Sequence, residues 1–249
     1  MGPRVLGVIP ARMESRRLPG KPLREICGRP MLAWVYQNAR AAGCLDHLLI
    51  ATDSQEIQSF CHREGMPVVM TSSEHRSGTD RMAEVAGRER ADIYVNIQGD
   101  EPMIAPVHLK GLLQPFQDNP STQVTTLKVA IDARMAEDPN VTKVVTDLRG
   151  RALYFSHLPI PANRDRRAPS PHYKHLGVYG LTGAALEQFH LLPPSPLESL
   201  EQLEQLRYLE HGIPVTVVET QDDTIGVDTE EDLARVEAHF RSVGLKPVP

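Results

Sequence analysis

Hydrophobic residues fall into short runs of Val, Ile and Leu, and these alternate with stretches in which apolar positions recur every three or four residues. RVLGVIP (4–10) is followed by MLAWVYQNARAAG (31–43), and HLLIAT (47–52) by SQEIQSFCHREG (54–65). PVVMT (67–71) is followed by TDRMAEVAGRER (79–90), and DIYVNIQ (92–98) by PVHLKGLLQPFQ (106–117). Continuous short runs predict buried strands, and the three-to-four spacing predicts amphipathic helices. Their strict alternation predicts an α/β fold with a mostly parallel sheet flanked by helices. Ligands of such sheets bind beyond the carboxyl ends of the strands. PARMESRRLPGK, TDS and QGDEP all fall there.

The rhythm changes after residue 120. QVTTLKVAI (123–131), TKVVTD (142–147) and ALYFSH (152–157) follow one another with only short polar breaks. DLRGR reads as a hairpin turn, so the segment predicts a smaller mixed or antiparallel region over roughly 120–182. LPIPANRDRRAPSPHY (158–173), rich in Pro and Arg, predicts a mobile loop. KHLGVYGLT resumes as a strand, LESLEQLEQLRYLEHG as one long helix, PVTVVET as a strand and TEEDLARVEAHFRSVG as a final helix. With no internal repeat or linker, residues 1–249 read as one domain to which that smaller region contributes.

Composition narrows the class. Hydrophobic residues at 41% and charged ones at 24% are those of an ordinary globular protein. Cys27, Cys44 and Cys61 are odd in number and far apart, which leaves neither a disulfide framework nor a CxxC metal pair and points to the reducing cytoplasm. No run approaches the roughly 20 apolar residues of a membrane span. A net charge of -5 argues against polymeric nucleic acid as a partner.

Against that acidic background the loop after the first run is basic, with Arg12, Arg16, Arg17 and Lys21 facing a single acid, Glu14. Pro19 and Gly20 permit a tight turn, and the cations could converge on a polyphosphate; a solvated basic loop is the alternative. There is no GxGxxG, and Gly20-Lys21 is followed by Pro22, so dinucleotide and P-loop motifs are absent. Asp100, after the buried run and Gly99, is either a turn residue bonding its own backbone or a ligand for Mg²⁺. Asp228 or Thr229, three residues before Glu231 or Asp232, forms a capping box, which explains Asp228 without chemistry unless it meets Asp100. In SGTDR, Thr79 or Asp80 can cap a helix, while Ser77, Thr79 and Arg81 could contact a nucleotide. The leucines of the long helix predict a core face, with Glu198, Glu201, Glu204 and Gln205 on its solvated side. His175 and Tyr179 share one strand face, as a packed pair or as sugar contacts.

Taken together these strings resemble one family, the 3-deoxy-D-manno-octulosonate (Kdo) cytidylyltransferases. The resemblance rests on IPAR with RLPGKPL, ATDSQEI, SGTDRMAEV, VNIQGDEPMI, KVVTD, ALYFS, HLGVYG, SPLESLEQLEQLR and GVDTEEDL, in order along nearly the whole chain. It implies a nucleotide-binding α/β fold, a homodimer joined through the smaller region, and Mg²⁺-dependent transfer of CMP from CTP to the sugar acid for lipopolysaccharide biosynthesis. Arg12, Arg17 and Lys21 then fall on the triphosphate-binding loop, and Ser77, Gly78, Thr79 and Arg81 on the nucleotide-lining segment. Asp100 and Asp228 fall on the metal-binding aspartates, so that Arg12, Lys21, Asp100 and Asp228 carry the catalysis. Gln98, His175, Tyr179, Glu204 and Gln205 fall on positions lining the sugar pocket. One departure stands out: His157 occupies a place where the resemblance expects an Arg to meet the sugar's carboxylate. Histidine is a weaker, pH-dependent anion partner, and Arg164, Arg166 or Arg167 could compensate. A related sugar acid such as an amino-Kdo, or a non-catalytic nucleotide-binding homologue, are the competing readings.

Overall fold

The computed structural model describes residues 2–15, 17–75, 77–164 and 172–244. In chain order the elements are β1 (Val5–Ala11), β2 (Glu25–Ile26), β3 (Arg29–Pro30), α1 (Met31–Ala41), β4 (His47–Thr52), α2 (Gln55–Arg63), β5 (Val68–Met70), α3 (Gly78–Arg88), β6 (Ile93–Asn96) and α4 (Pro106–Asp118). They continue with β7 (Val124–Ile131), α5 (Ala133–Ala136), β8 (Lys143–Thr146), β9 (Ala152–Ser156), β10 (His172–Thr182), α6 (Gly183–Leu191), α7 (Pro196–Glu201), α8 (Leu206–Glu210), β11 (Val215–Thr220) and α9 (Glu230–Ser242). By their contacts the residues divide into two units, one within Met1–Lys110 and Thr224–Pro249, the other Gly111–Asp223.

The first unit carries the predicted parallel sheet in the order β6-β1-β4-β5. All but one residue of β1 are buried, as a strand covered on both faces requires, which is why its sequence is continuously apolar rather than alternating. A cluster of Leu18, Ile26, Met31, Trp34, Val227, Val236 and Phe240 forms a core beside the sheet. Trp34 anchors it: its ring centroid is 4.7 Å from that of Phe240, and its indole N–H donates to the Ile26 carbonyl at 2.9 Å. Leu18 belongs to the basic loop and Val227 adjoins Asp228, so burial of these two side chains fixes both ends of the site described below.

The second unit has the mixed character expected after residue 120. β10 is antiparallel to β7 and β8, β8 is antiparallel to β9, and β11 is parallel to β7. DLRGR makes the hairpin turn between β8 and β9, with Gly150 at φ 77 and the Asp147 amide donating to the Arg151 carbonyl at 2.8 Å. The fully buried Lys143 ammonium donates to the carbonyls of Asp138, Val141 and His157 at 2.9, 2.6 and 2.6 Å. Of the predicted mobile loop, residues 165–171 lie outside the described residues, and Arg166 and Arg167 with them.

The long helix predicted over LESLEQLEQLRYLEHG is instead two short ones. Gln202 takes the left-handed conformation at φ 55 and ends α7 before α8 begins. The leucines therefore do not share one core face: Leu200 is exposed while Leu206 is buried. The acids are not a solvated side either. Glu198 pairs with Arg207, which is buried, and Glu201 accepts hydrogen bonds from Ser156, Tyr154 and the His157 amide.

Candidate active site

Beyond β1 the chain passes Arg12, Glu14, Ser15 and Arg17, then turns at Gly20, φ 67, into a single 3-10 turn, Lys21–Leu23. The left-handed backbone explains the glycine. Beyond β6, Gln98, Gly99 and Asp100 reach the same edge. A Cβ on Gly99 would stand 2.9 Å from the Pro10 carbonyl oxygen, so only glycine lets these two strand ends come this close.

The two acids predicted from distant segments meet on one lysine. Lys21 Nζ donates to Asp100 Oδ2 at 2.5 Å and to Asp228 Oδ1 at 2.9 Å, and Arg17 reaches the other oxygen of Asp228 at 2.9 Å. The Val227 amide donates to the Asp100 carbonyl at 2.9 Å, which sets the two acid-bearing segments in register. Burial works against the Lys21 ammonium, but the carboxylates of Asp100 and then Asp228 outweigh it and raise its pKa above 10.5. The capping duty that could have explained Asp228 falls to Thr229. Its hydroxyl accepts from the Asp232 amide while the Asp232 carboxylate accepts from the Thr229 amide. Asp228 is thereby left to the site. Asp100, likewise, spends its carboxylate on Lys21 rather than on a turn of its own.

These groups line a cavity of about 800 Å³ with Arg12, Ser77, Gly78, Arg81 and Gln98. The N-terminus of α3 opens on it, capped by Ser77, whose hydroxyl accepts from the Asp80 amide at 3.1 Å. Neither Thr79 nor Asp80, the residues expected to cap, does so. Thr79 is also not in the cavity: it is buried, and its hydroxyl accepts from Asn96 Nδ2 at 3.4 Å. Arg81 lines the wall yet is itself buried, bonded to Thr71 and, at 2.9 Å, to Asp53. It acts first as a structural cation. Four basic side chains (Arg12, Arg17, Lys21, Arg81) against three acids (Glu14, Asp100, Asp228) make the lining cationic within an acidic protein, and helix N-termini add to that potential.

Sequence reasoning did not foresee that His75 and Ser15 line the cavity with Glu14, nor that Asp53 pairs with Arg81. His75 lines the cavity and bonds Glu84, which also takes the Ser72 amide at 2.9 Å and an ion pair from Arg88. Burial opposes the Glu84 charge, but these partners, the Ser72 amide first, win and lower its pKa. The sequence signal was present in EHRSGTDR, where a histidine lies two residues before a cap.

Of the residues expected around a sugar, Gln98 lines the cavity and donates to Asn96 Oδ1 at 3.3 Å. The others belong to the second unit. Across the bulge of β10 between Leu176 and Tyr179, the rings of His175 and Tyr179 lie 5.5 Å apart, and Phe155 packs 4.9 Å from His175. His175 Nε2 is 2.9 Å from Thr126 Oγ1, which also lies 2.8 Å from the Val178 carbonyl. A carbonyl cannot donate, so the one hydroxyl proton goes there and His175 Nε2 must carry the proton it shares with Thr126. Burial, with Lys174 adding to it, brings the His175 pKa down to about 3. His157 is held by its backbone between Lys143 and Glu201, and its Nδ1 lies 2.8 Å from the Pro139 carbonyl. Gln205 is buried and Glu204 half-buried at the start of α8.

Two carboxylates converging on one cation suit a hard divalent ion, since Mg²⁺ is bound through one or two carboxylates and completes its shell with water and phosphate oxygens. Among the described residues no group of three or more His, Cys, Asp or Glu side chains is placed to hold a metal ion.

A parallel sheet with a cationic loop and paired acids at its carboxyl edge defines a nucleotidyltransferase, and a family model described as cytidylyltransferase matches residues 6–220. The chain is 55% identical over 233 residues to the 3-deoxy-manno-octulosonate cytidylyltransferase of Acidobacterium capsulatum, covering 94% of this chain and 95% of that one. It is 51% identical over 239 residues to the enzyme of the same name from Koribacter versatilis, covering 96% and 91%. A solved structure of CMP:2-keto-3-deoxy-manno-octonic acid synthetase complexed with CTP superposes with a TM-score of 0.92 at 41% identity, over 96% of this chain and 99% of that one. The chain belongs to the 3-deoxy-manno-octulosonate cytidylyltransferase family.

Proposed function

We propose that this protein transfers CMP from CTP to 3-deoxy-D-manno-octulosonate, giving CMP-Kdo and pyrophosphate for lipopolysaccharide biosynthesis. The observation that carries the reading is the meeting of Lys21, Asp100 and Asp228 at one point of a cationic cavity beyond β1 and β6. Similarity to a synthetase solved with CTP supports the choice of nucleotide.

In this reading Arg12, Arg17 and Lys21 bind the triphosphate, and the amides at the start of α3 help to orient the nucleotide. Lys21 balances the charge of the departing pyrophosphate, and the rigid backbone contact of Gly99 with Pro10 keeps the acids from drifting. Asp100 and Asp228 would hold Mg²⁺, which when bound supplies charge neutralisation at the α-phosphate and an easier deprotonation of the attacking sugar hydroxyl. The chain's own contribution is positioning and preorganised charge, so no side chain need act as a general base. To the sugar acid we assign, each by its match to the family, Gln98 in the first unit and His175, Tyr179, Glu204, Gln205 and, in the place of the expected Arg, His157 in the second. We also assign the protein to the cytoplasm and to a homodimer; the exposed Leu153 and Leu158 are the apolar surface such a contact would cover.

Pyrophosphate release measured with Mg²⁺, a panel of nucleoside triphosphates and one sugar acid at a time tests the reading. Release only with CTP and 3-deoxy-D-manno-octulosonate is the expected result. Preference for another nucleotide or sugar acid, or no release with any pair, overturns it.

A further inference from the structure

Tyr208, on α8, raises a question that core packing leaves half answered. Only 3% of it is exposed, and its ring packs on Phe189 of α6 with centroids 4.7 Å apart and planes at 33°. The ring is accounted for. The hydroxyl is not, because among the described residues no hydrogen-bond partner reaches it. A buried hydroxyl left so costs about 1–3 kcal/mol, a cost that phenylalanine at the same place would not carry.

The surroundings of that hydroxyl are polar. Glu204 lies one helical turn earlier, the turn being closed by the Arg207 amide donating to the Glu204 carbonyl at 3.1 Å, so residues 204 and 208 lie on one face. Gln205, between them, is buried too. Burial first, and then the Glu204 carboxylate, push the phenol of Tyr208 well above its ordinary pKa, and they do the same to Tyr179 on β10, where Tyr208 itself adds to the effect. The two phenols and the carboxylate are thus mutual neighbours. At working pH both phenols keep their protons and act as neutral donors beside an anion.

We infer that Tyr208 donates a hydrogen bond to a hydroxyl of the sugar acid, at the polyol portion of the substrate rather than at its carboxylate. The inference rests on the sugar reading given above for Tyr179 and Glu204. The chemistry fixes which end is read. A substrate hydroxyl can accept from the phenol while donating to Glu204, whereas a substrate carboxylate would be repelled by Glu204 and could give it nothing. Tyr208 then belongs with the specificity-determining residues, although no motif marks it.

Tyr208→Phe removes one oxygen and keeps the ring. A neutral hydrogen bond contributes about 0.5–1.5 kcal/mol, so the KM for 3-deoxy-D-manno-octulosonate should rise roughly two- to tenfold. The KM for CTP should stay as it is, and Tm should hold or rise because an unsatisfied group has gone. A purely structural role gives a different pattern: an unchanged sugar KM, or a lowered Tm with the two KM values moving together, overturns the assignment to Tyr208 and leaves the sugar reading standing. Absence of any turnover of this sugar acid by the wild-type protein overturns both. Tyr208→Leu, which removes ring and hydroxyl, serves as the control for packing: its lowered Tm should not be accompanied by a larger rise in sugar KM than Tyr208→Phe shows.

Discussion

Acidification is expected to weaken the second unit through a single side chain, His175. Its ring is neutral in the folded protein down to about pH 3 because burial, and next Lys174, oppose the imidazolium. In the unfolded chain the same ring takes up a proton near pH 6.5. Between those values the unfolded state binds the extra proton, so stability is fully present above pH 6.5 and falls as the pH drops toward 3, by about 1.4 kcal/mol per unit. From pH 7.5 to pH 5.0 the loss comes to about 2 kcal/mol. Glu84 and Glu201, whose pKa values are lowered, contribute losses of their own only below about pH 4.5, so the upper window belongs to the histidine. Urea unfolding followed by far-UV circular dichroism at pH 7.5, 6.5 and 5.0 measures the slope. Fluorescence of Trp34, the sole tryptophan, reports the other unit and serves as the internal reference. His175→Gln, which keeps a donor toward Thr126 but cannot titrate, should flatten the slope. Equal slopes in wild type and variant, or an imidazole C–H resonance of His175 titrating near pH 6.5, would refute the reasoning. If His175 meets the sugar acid as proposed above, at neutral pH it does so as an uncharged ring and not as a cation.

Three further outcomes follow from the first unit. Asp100→Asn, which keeps shape and removes charge, should lower turnover at least a hundredfold while Tm stays within a few degrees; near-normal Mg²⁺-dependent turnover would remove Asp100 from the metal site. Lys21→Met should lower kcat/KM for CTP by about 10- to 150-fold, the equivalent of one lost charge-assisted hydrogen bond of about 1.5–3 kcal/mol, and wild-type kinetics would sever the loop from phosphate binding. Gly99→Ala would drive a methyl to 2.9 Å from the Pro10 carbonyl oxygen, so both Tm and activity should fall; a fully active, equally stable variant would show that the strand ends need not approach as described.

How much of this was legible beforehand follows from what each signal depends on. The succession of β1, β4, β5 and β6 with their helices was readable because buried parallel strands are continuously apolar and their helices are periodic. Both patterns are local, and the structure bears them out; the short pair β2 and β3 was not foreseen. The meeting of Asp100 with Asp228 was implied by the family resemblance but was not readable from spacing. It is decided by Leu18 and Val227 entering one cluster with Trp34 and Phe240, and by a backbone bond from Val227 to Asp100, none of which leaves a trace in spacing. The broken helix at Gln202 escaped because glutamine rarely adopts a left-handed backbone and the leucine spacing runs unbroken across it. Ser77 was passed over as the cap in favour of Thr79 and Asp80, since serine, threonine and aspartate all cap well and only the fold decides which sits one residue before the helix. Arg81 looked like a ligand contact because its partner Asp53 lies on a different loop.

The first unit is assembled from two stretches of chain, and the second of these, carrying Val227, Asp228 and α9, emerges from the ribosome only after all of the other unit has been made. A growing chain therefore holds Lys21 and Asp100 long before their third partner exists, while Gly111–Asp223 is continuous and can fold as it appears. Chains that stall or are cut ahead of Asp228 would lack the acid pair altogether. On the reading proposed above, such fragments would lack the acid that completes the site, so activity would appear only once the last stretch of chain has been made.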